Sequence, residues 1–404
     1  MTPFLSRPAL HRVVQSLLRA ELHRGRSPRP HVRSSQKAKP TWAEDFDLSQ
    51  GDDSCLGCDS LERLTLSAAV NEMFHLHEAD LEHALLDDTT LGAWLNLIEQ
   101  AWAFGVRQVT LATSGSTGIP KLCTHSFQAL QTEIDFLTTL FQGRSEIIAF
   151  TPAHHIYGLL FTALLPDRMC VPVRDWSLGT ASDEAGSRSA EAGQLLVAVP
   201  EVWSWLDRST PRWNTNVEGV TSTAPCPRST IDSLVGKGLA RMVEVYGSTE
   251  TAGIGTRVWP AAAYTLMPHW TRQPDGIYPL SLVSDDRTVI PMDDLDFLTD
   301  RCFLPRGRKD GAVQVGGTNV FPSHVEEKLL ALPGVQAISV RLMRPEEGTR
   351  LKCFVVPAPG YTADDLQASI EATVSTWTST AEHPKHFTFG SELPRSPMGK
   401  PCDW

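Results

Sequence analysis

Residues 111–126, LATSGSTGIPKLCTHS, combine several hydroxyl-bearing residues, two glycines and one lysine in a single short run. Glycines let backbone N–H groups approach an anion, hydroxyl groups donate further hydrogen bonds, and Lys121 supplies a positive charge. A Walker-type loop requires glycine directly before its lysine and Ser or Thr directly after it. Here Lys121 lies between Pro120 and Leu122. The run therefore predicts either another kind of phosphate loop or a polar turn between a strand and a helix.

A second polar segment, EVYGSTETAG at residues 244–253, follows a strand-like run that ends at Tyr246. Thr249 and Glu250 come just after a glycine that permits a sharp turn. A hydroxyl beside a carboxylate at the carboxyl end of a strand can bind phosphate and Mg²⁺, respectively. The structural alternative is a capping box, in which Ser248 or Thr249 begins a helix with an acidic residue nearby.

Two further segments carry charged residues in a pattern that suits chemistry. GRKDGAVQVGGTNVFPSHVEE, residues 307–327, has Arg308 and Asp310 two positions apart before an alternating run and paired glycines, which suits a polar hinge beside a ligand. LPRSPMGKP, residues 393–401, has Lys400 close to the end of the sequence. A lysine in such a tail usually faces solvent.

The elements that must position these residues alternate between strand and helix. A helix capped by Thr89 or Thr90 carries apolar residues at helical spacing and ends at Gly105. Such alternation predicts an α/β architecture with mixed, largely parallel sheets. The remaining predicted elements are strands at 106–112, 146–151, 194–199 and 242–246, and helical patterns at 61–86 and 124–141.

The texture of the sequence changes at about residue 308, where a glycine-rich, basic and alternating stretch begins. The segments beyond it predict a small α+β domain, with helices at 323–332 and 363–377 and strands at 337–342 and 352–356. We therefore predict three parts: a basic arm and an acidic loop-like segment (1–60), a large domain (61–307) and a small C-terminal domain (308–404).

Charge excludes one class of partner. The chain of 404 residues has a net charge of −11, and nucleic acid requires a basic surface. The charge is uneven, because residues 1–40 carry nine Arg and Lys against one Glu, whereas residues 41–100 carry fourteen acidic residues against one Arg. Proline residues within the basic segment favour a mobile arm, and an Arg-rich transit peptide is the less favoured reading.

Cysteine and hydropathy patterns indicate a cytoplasmic protein with reduced thiols. Cys55 and Cys58 form a CxxC pair, but no second pair completes a zinc site. The sequence contains no run of 18 apolar residues, so we expect no membrane span.

The order of the four segments is more specific than any one of them. TSGSTGxPK, YGSTE, GRxD and LPRSxxGK, in this order and at roughly this spacing, resemble the adenylate-forming superfamily of acyl- and aryl-CoA synthetases, nonribosomal adenylation domains and luciferases. The resemblance extends from about Thr113 to Lys400. It implies a large N-terminal α/β domain, here shortened at its N-terminus, with a small mobile C-terminal domain.

The resemblance assigns nucleotide-binding roles to specific residues. The loop would bind the β- and γ-phosphates of ATP, Tyr246 would lie against adenine, Thr249 would contact the α-phosphate, and Glu250 would hold Mg²⁺. Asp294, or Asp293, would bind the ribose together with Arg308. The implied nucleotide-binding residues are Thr113, Ser114, Gly115, Ser116, Thr117, Gly118, Lys121, Thr223, Ala224, Tyr246, Gly247, Thr249, Asp294 and Arg308.

The same resemblance assigns the acid site and the moving parts. PAHHIYG, residues 152–158, matches a segment of aryl-CoA ligases, which implies His155 near the acyl-adenylate and Tyr157 on the substrate wall. Ser222 and Gly247 would also line the acid pocket. Asp310 would be the hinge of the small domain, and Lys400 would bridge the carboxylate and the α-phosphate. The implied catalytic residues are Lys400, Glu250, Lys121 and His155.

The implied reaction has two steps. A carboxylate attacks the α-phosphorus of ATP and pyrophosphate leaves; a thiol of coenzyme A or of an acyl carrier protein then displaces AMP. HHIYG is similar to segments of coumarate- and benzoate-type ligases, which implies an aryl acid such as a hydroxybenzoate. The compact length resembles AMP ligases of aryl-polyene (xanthomonadin-like) pigment clusters, and basic residues 7–39 are a candidate carrier-protein patch. The alternative is a non-catalytic nucleotide- or acyl-binding relative.

Overall fold

The computed structural model describes residues 4–25, 41–49, 57–112, 121–176, 190–210, 212–273, 276–279, 290–291, 295–305, 312–316, 318–344, 346–377, 379–394 and 404. Most of the chain up to Leu304 packs as one compact unit, and most of Pro305–Trp404 packs as a second. The predicted boundary between residues 307 and 308 falls outside the described residues.

The first unit begins with a helix that the sequence analysis did not predict. Helix α1 (Arg7–Gly25) packs on helix α2 (Ser60–Phe74) and fully buries Leu10, Val14 and Leu18. The prediction of a basic arm is therefore wrong for residues 7–25. The apolar side chains of α1 recur at positions 10, 13, 14, 17 and 18, which is the spacing of one helical face.

Two acidic residues, one in the predicted acidic segment and one in a later helix, neutralise Arg7 at the start of α1. The guanidinium of Arg7 lies 2.8 Å from the carboxylate of Glu44 and 2.7 Å from that of Glu99.

The predicted helix before the loop is confirmed as α4 (Leu91–Phe104), which Thr90 caps and Gly105 ends with a φ of 117°. A short helix, α3 (Ala84–Asp87), lies between α2 and α4.

The polar run 113–121 connects two strands rather than a strand and a helix. Strand β1 (Gln108–Ala112) pairs antiparallel with β2 (Leu122–Ser126), so the predicted helix at 124–141 is wrong for its first residues. Helix α5 (Phe127–Leu140) starts only after β2, where the Ser126 hydroxyl accepts a hydrogen bond from the backbone of Ala129.

A nine-stranded sheet forms the centre of the first unit. Its strands are β3 (Glu146–Ala149), β4 (Val173–Asp175), β5 (Gln194–Ala198), β6 (Glu218–Thr221), β7 (Arg241–Ser248), β8 (Ala252–Val258), β9 (Tyr264–Leu266), β13 (Leu295–Phe297) and β14 (Cys302–Pro305). Their order among the described residues is β13-β14-β9-β8-β7-β6-β5-β3-β4, and the neighbours within β7-β6-β5-β3-β4 pair parallel. Neighbours within β14-β9-β8-β7 pair antiparallel.

Helices cover this sheet. The strands β5 and β6 are buried along their whole length, as is typical of parallel strands covered on both faces. Gly219 of β6 leaves room for the buried Trp203 ring, since a Cβ there would lie 2.6 Å from it. The remaining elements of this unit are helices α6 (Ile156–Leu159), α7 (Leu165–Met169), α8 (Pro200–Ser209) and α9 (Arg228–Gly236), and the antiparallel strands β10 (Trp270–Gln273), β11 (Gly276–Pro279) and β12 (Ile290–Pro291). A π-helical segment, Leu160–Leu164, joins α6 to α7.

The second unit has its own apolar core. Helices α10 (Pro322–Leu330) and α11 (Ala363–Ser375) contribute Val325, Leu329 and Ile370 to it, all with no exposed surface. Two small sheets complete the unit: β15 (Val313–Val315) pairs antiparallel with β16 (Thr318–Val320), and β18 (Leu351–Pro357) pairs antiparallel with β17 (Val335–Leu342) and parallel with β19 (His386–Phe389). The predicted fold class is confirmed.

None of the helices in the described part of the chain combines the length and apolar character that crossing a bilayer requires.

Candidate active site

The hairpin that carries the polar run is attached to the turn that carries YGSTE. Nε2 of His125, in β2, donates a hydrogen bond of 2.6 Å to the carbonyl of Thr249. Because a carbonyl only accepts, Nε2 must carry the proton. Burial lowers the pKa of His125, so this contact is made by a neutral ring. The described end of the first predicted segment, residues 121–126, therefore lies beside the second.

The ends of these two segments form an ion pair. Nζ of Lys121 lies 3.0 Å from Oε1 of Glu250, and both side chains are substantially exposed. Partial burial pushes the pKa of Glu250 upward, but hydrogen bonds from Lys121, from its own backbone and from Ser248 outweigh that effect and hold it below the usual range. A lysine and an ionised carboxylate, both open to solvent, are suited to a phosphate and its cation.

The YGSTE segment forms the end of β7 and the first residues of the turn to β8. Gly247 is required there, because a Cβ at that position would lie 2.0 Å from the carbonyl oxygen of Ala252. The backbone N–H of Ser248 donates to Oγ1 of Thr251, which closes the turn. The capping-box alternative is wrong, since residues 249–251 connect two antiparallel strands and begin no helix.

The carboxyl end of β6 lies beside this turn and carries polar groups that have no partner among the described residues. Oγ of Ser222 donates to the carbonyl of Val245 at 2.9 Å, which joins the end of β6 to β7. Oγ1 of Thr221 and Oγ1 of Thr223 are buried and unpaired within the described chain, and Thr223 has a φ of 77°. An unpaired buried hydroxyl costs about 1–3 kcal/mol, which favours a polar ligand or water here.

Tyr246 lies at the end of β7 in an aromatic group. Its ring centroid is 5.6 Å from that of Tyr264 and 5.5 Å from that of Phe303, and the residue is half-buried. Ala224 and Thr249 are also half-buried, and Gly247 is exposed. An aromatic ring at the carboxyl edge of a parallel sheet is suited to stacking against a planar base.

Two adjacent histidines, His154 and His155, precede helix α6, with ring centroids 4.1 Å apart. Burial lowers the pKa of His154 to about 3, with the charges of His155 and Arg24 acting in the same direction. Desolvation by the surrounding protein lowers the pKa of His155 too, and the charge of Arg24 adds to this effect. The residue nevertheless keeps exposed surface. Both rings are therefore neutral at neutral pH and offer hydrogen bonds rather than charge.

Helix α1 holds this pair of histidines from the N-terminal side. Oγ of Ser16 lies 2.8 Å from Nδ1 of His154. The backbone N–H of Ser6 donates to Asp167 at 2.8 Å, and Arg12 pairs with Asp175. Three polar contacts, one from Ser6 and two from residues of α1, thus attach this helix to residues 154–175.

Tyr157 is engaged with the central sheet. Its hydroxyl donates to the carbonyl of Val220 at 2.8 Å and lies 3.2 Å from that of Ala198, and burial raises its pKa well above the usual range. The side chain is buried against Phe161. The hydroxyl of Tyr157 is hydrogen-bonded to β5 and β6. If the residue lines the substrate pocket as predicted, its ring rather than its hydroxyl would make the contact.

Other predicted site residues lie outside the described part of the chain: Thr113–Gly118, Asp294 with its alternative Asp293, Arg308, Asp310 and Lys400. Their roles remain predictions.

Three side chains that the sequence did not single out lie at these segments: Ser16, His125 and His154. His154 is adjacent to His155 in the quoted motif, so its proximity could have been inferred. His125 lies in the last part of the opening run, where the strand period could have been recognised. Nothing local marks Ser16, which contacts a residue 138 positions later.

Two family models match this chain. A family model described as AMP-binding enzyme matches residues 109–283, and a model described as AMP-binding enzyme C-terminal domain matches residues 324–400. The two matched regions contain both segments joined by the Lys121–Glu250 pair and the predicted tail lysine.

Curated relatives match nearly the whole chain. A 4-coumarate–CoA ligase of Rhodobacter capsulatus is 36% identical and spans 98% of this chain and 100% of the relative. A 4-coumarate–CoA ligase of Halorhodospira halophila is 34% identical, and the match spans 96% of this chain and 97% of the relative. Among solved structures, the o-succinylbenzoate CoA synthetase of Bacillus subtilis, bound to a product analogue, is similar in fold, with a TM-score of 0.55, 18% identity and coverage of 72% of this chain and 67% of that one.

Proposed function

The chain belongs to the adenylate-forming superfamily of AMP-binding enzymes, and from that premise we propose that it is an AMP-forming ligase that joins an aryl carboxylic acid to the thiol of coenzyme A. The observation that carries the proposal is the 3.0 Å pair between Lys121 and Glu250. It brings together the end of the polar loop and the turn after β7, at the edge of the sheet where α/β proteins bind ligands.

The first step requires charge control around ATP. A carboxylate oxygen of the acid attacks the α-phosphorus while the bond to pyrophosphate breaks, and both reactants are anionic. Lys121 balances negative charge beside the loop, and the unpaired hydroxyls of Thr221 and Thr223 supply hydrogen bonds to a polar ligand. Lys400 and Arg308 are proposed to act on the same phosphates from the C-terminal part of the chain.

Glu250 is suited to hold Mg²⁺. Its carboxylate is exposed in part and its pKa is lowered, so the group is ionised at neutral pH. Mg²⁺ prefers such oxygen ligands, and when bound with ATP it would offset phosphate charge. Lys121 then serves as the counter-ion of Glu250 before nucleotide binds and as a phosphate ligand afterwards.

Neutral hydrogen-bonding groups favour an aryl acid with a polar substituent. His154 and His155 both have lowered pKa values, so neither ring presents a positive charge to a second carboxylate. The full-length relatives are named for 4-coumarate, a hydroxylated aryl acid. A hydroxycinnamate or hydroxybenzoate is the substrate class that fits both observations.

The second step transfers the acyl group from AMP to a thiol: the sulfur attacks the acyl carbon, and AMP leaves from that carbon. The names of the relatives favour coenzyme A. A carrier protein would require exposed basic residues, whereas Arg7 and Arg12 are paired with acidic groups and Arg19 lies over the ring of Trp42. The described part of the candidate carrier-protein patch is therefore largely occupied by internal contacts.

ATP–pyrophosphate exchange with a panel of acids tests the first step. We expect 4-coumarate or 4-hydroxybenzoate to support exchange and a straight-chain acid such as hexanoate to support much less. Replacement Glu250→Gln should lower exchange by two orders of magnitude or more, about 3 kcal/mol in the barrier. Asp300→Asn, at a fully exposed carboxylate, is the matched control and should leave exchange unchanged.

The outcomes separate the competing functions. ATP binding without exchange for any acid would contradict the ligase and support a non-catalytic nucleotide-binding relative. With an active acid in hand, thioester formation is measured with coenzyme A and with a holo-acyl carrier protein. Faster transfer to the carrier protein would overturn coenzyme A as the acceptor and restore the pigment-cluster type of ligase.

A further inference from the structure

A second group of chemically capable side chains lies outside the proposed active site. His75, His77 and Glu78 follow one another at the end of α2, and one ring nitrogen of each histidine and one oxygen of Glu78 lie within 4.8 Å of one another. We propose that these three side chains bind a divalent transition-metal ion of the Zn²⁺ type, at a site separate from the Mg²⁺ position at Glu250.

The backbone gathers the three side chains over a very short stretch. His75 ends α2 in the left-handed region with a φ of 56°, and its N–H donates to the carbonyl of Asn71. The chain continues in a 3₁₀ turn, Leu76–Ala79, which places the two imidazole centroids 5.5 Å apart. His75 is buried, whereas His77 and Glu78 are open to solvent, so an ion can reach the cluster.

The tautomer of His77 follows from its contacts. Oδ1 of Asn71 accepts a hydrogen bond of 2.9 Å from the backbone N–H of His77, which fixes that atom as the amide oxygen. Nδ1 of His77 lies 3.1 Å from the same oxygen and must therefore donate to it. In the neutral ring Nε2 of His77 then carries the lone pair, which is the form that binds metal ions.

The contacts of His75 allow the tautomer that binds metal ions through Nδ1. Its Nδ1 lies 2.9 Å from Oε1 of Glu78, and its Nε2 lies 2.7 Å from Oγ1 of Thr110. Moving the ring proton from Nδ1 to Nε2 turns the Thr110 hydroxyl from donor to acceptor and frees Nδ1 for an ion. A hydrogen bond from the second nitrogen to such an outer partner is what holds metal-ligating histidines.

The donor set selects the kind of ion. Two imidazoles and one carboxylate suit Zn²⁺ and neighbouring transition metals, whereas Mg²⁺ and Ca²⁺ prefer all-oxygen sites. Three protein ligands leave a coordination position for solvent. Gln108, whose amide nitrogen lies 2.5 Å from Oε1 of Glu78, is close enough to respond when the ion binds.

Binding would connect elements that are distant in sequence. His75 and Glu78 belong to the end of α2 and its turn, while Thr110 and Gln108 belong to β1. An ion bound to the first pair therefore tightens contacts with the strand that leads into residues 113–120. We expect Zn²⁺ to raise the midpoint of thermal unfolding of the whole chain, because a ligand that binds only the folded state stabilises it.

Zn²⁺ titration by calorimetry on the full chain, in a buffer without chelators, tests the site. We expect one tight site, at least tenfold weaker binding in His77→Ala and in Glu78→Gln, and loss of the Zn²⁺-dependent rise in the unfolding midpoint in both. The matched control is His83→Ala, because His83 is exposed and lies 3.5 Å from a carboxylate oxygen of Glu82. Co²⁺ absorption provides a second readout, since intense visible bands report low-coordinate binding.

Two results would overturn the proposal. Binding that is equally weak in the native chain and in His77→Ala, with no effect of Zn²⁺ on unfolding, would assign the cluster a purely hydrogen-bonding role. An equal loss in His83→Ala would assign the binding to scattered surface histidines. Neither result bears on the ligase, because the measurement needs neither ATP nor an acid.

Discussion

The hydroxyl of Ser16 reaches from α1 to Nδ1 of His154, and His154 in turn contacts His155. If these rings bind the acid, Ser16 is a positioning residue. Replacement Ser16→Ala should raise KM for the acid about fivefold, equivalent to about 1 kcal/mol for one hydrogen bond, and leave KM for ATP unchanged. Steady-state exchange kinetics measure both constants.

The control for this prediction is Ser16→Thr, which keeps a hydroxyl and should restore KM for the acid. A parallel loss in both variants, or a change in KM for ATP of the same size, would contradict a positioning role and indicate a general disturbance of α1.

Tyr157 differs from Ser16 in the predicted effect of its loss, because its hydroxyl is hydrogen-bonded to the central sheet and not to a residue of the proposed acid site. Tyr157→Phe leaves the carbonyl of Val220 without its 2.8 Å partner. We expect a loss of about 1–3 kcal/mol in the free energy of unfolding, measured by denaturant titration, with KM for the acid unchanged. A raised KM with unchanged stability would show that the hydroxyl contacts the acid.

Helix α5 is joined to β8 by a buried carboxyl group, that of Glu133. Both of its oxygens lie within 3.1 Å of the backbone nitrogen of Gly253. Burial raises the pKa of Glu133 to about 8, against the opposing effect of that hydrogen bond. The stability gained from the proton is therefore fully present below about pH 4.5 and is lost as the pH rises through 8.

This linkage predicts a pH-dependent difference between the native chain and Glu133→Gln. The native unfolding midpoint should fall between about pH 4.5 and pH 8 more steeply than that of the variant, which has no proton to lose. Thermal unfolding across this range measures it. Parallel curves would show that Glu133 is ionised in the folded protein across the whole range.

Elements with a strong local signal were predictable, and those defined by distant partners were not. Helix α4 has a capping threonine, an apolar face and a terminal glycine, all readable from neighbours in sequence. Strand β2 is only five residues long and becomes a strand through its pairing with β1. In α1 the apolar period was present, but prolines beyond its end and the surrounding positive charges favoured an unfolded arm.

For the molecule as a whole, the order of motifs predicted more of the site than the spacing of residues did. Lys121 and Glu250 are 129 positions apart, and nothing local states that they meet; the family resemblance supplied that expectation. Neither the spacing of residues nor the order of motifs indicates that α1 contacts the segment around His154, because these contacts join parts of the chain that no shared motif contains.

Lys400 provides a prediction at this largest scale, since it is proposed to serve one of the two chemical steps. Lys400→Ala should abolish ATP–pyrophosphate exchange and largely spare thioester formation from supplied acyl-AMP. Single-turnover assays of the two half-reactions measure each step separately. An equal loss in both would contradict the assignment of this lysine to adenylation alone.

The docking of α1 also affects how the chain is made. Ser6 and Arg12 contact partners 161 and 163 positions later, so the helix leaves the ribosome long before its partners exist. At a translation rate of ~5–20 residues per second, residues 167–175 are synthesised roughly 10–30 s after the helix, and the apolar face of α1 stays unpacked against them until then. During that interval the helix is a candidate client for chaperones, and slow translation of this region should lower the yield of folded protein.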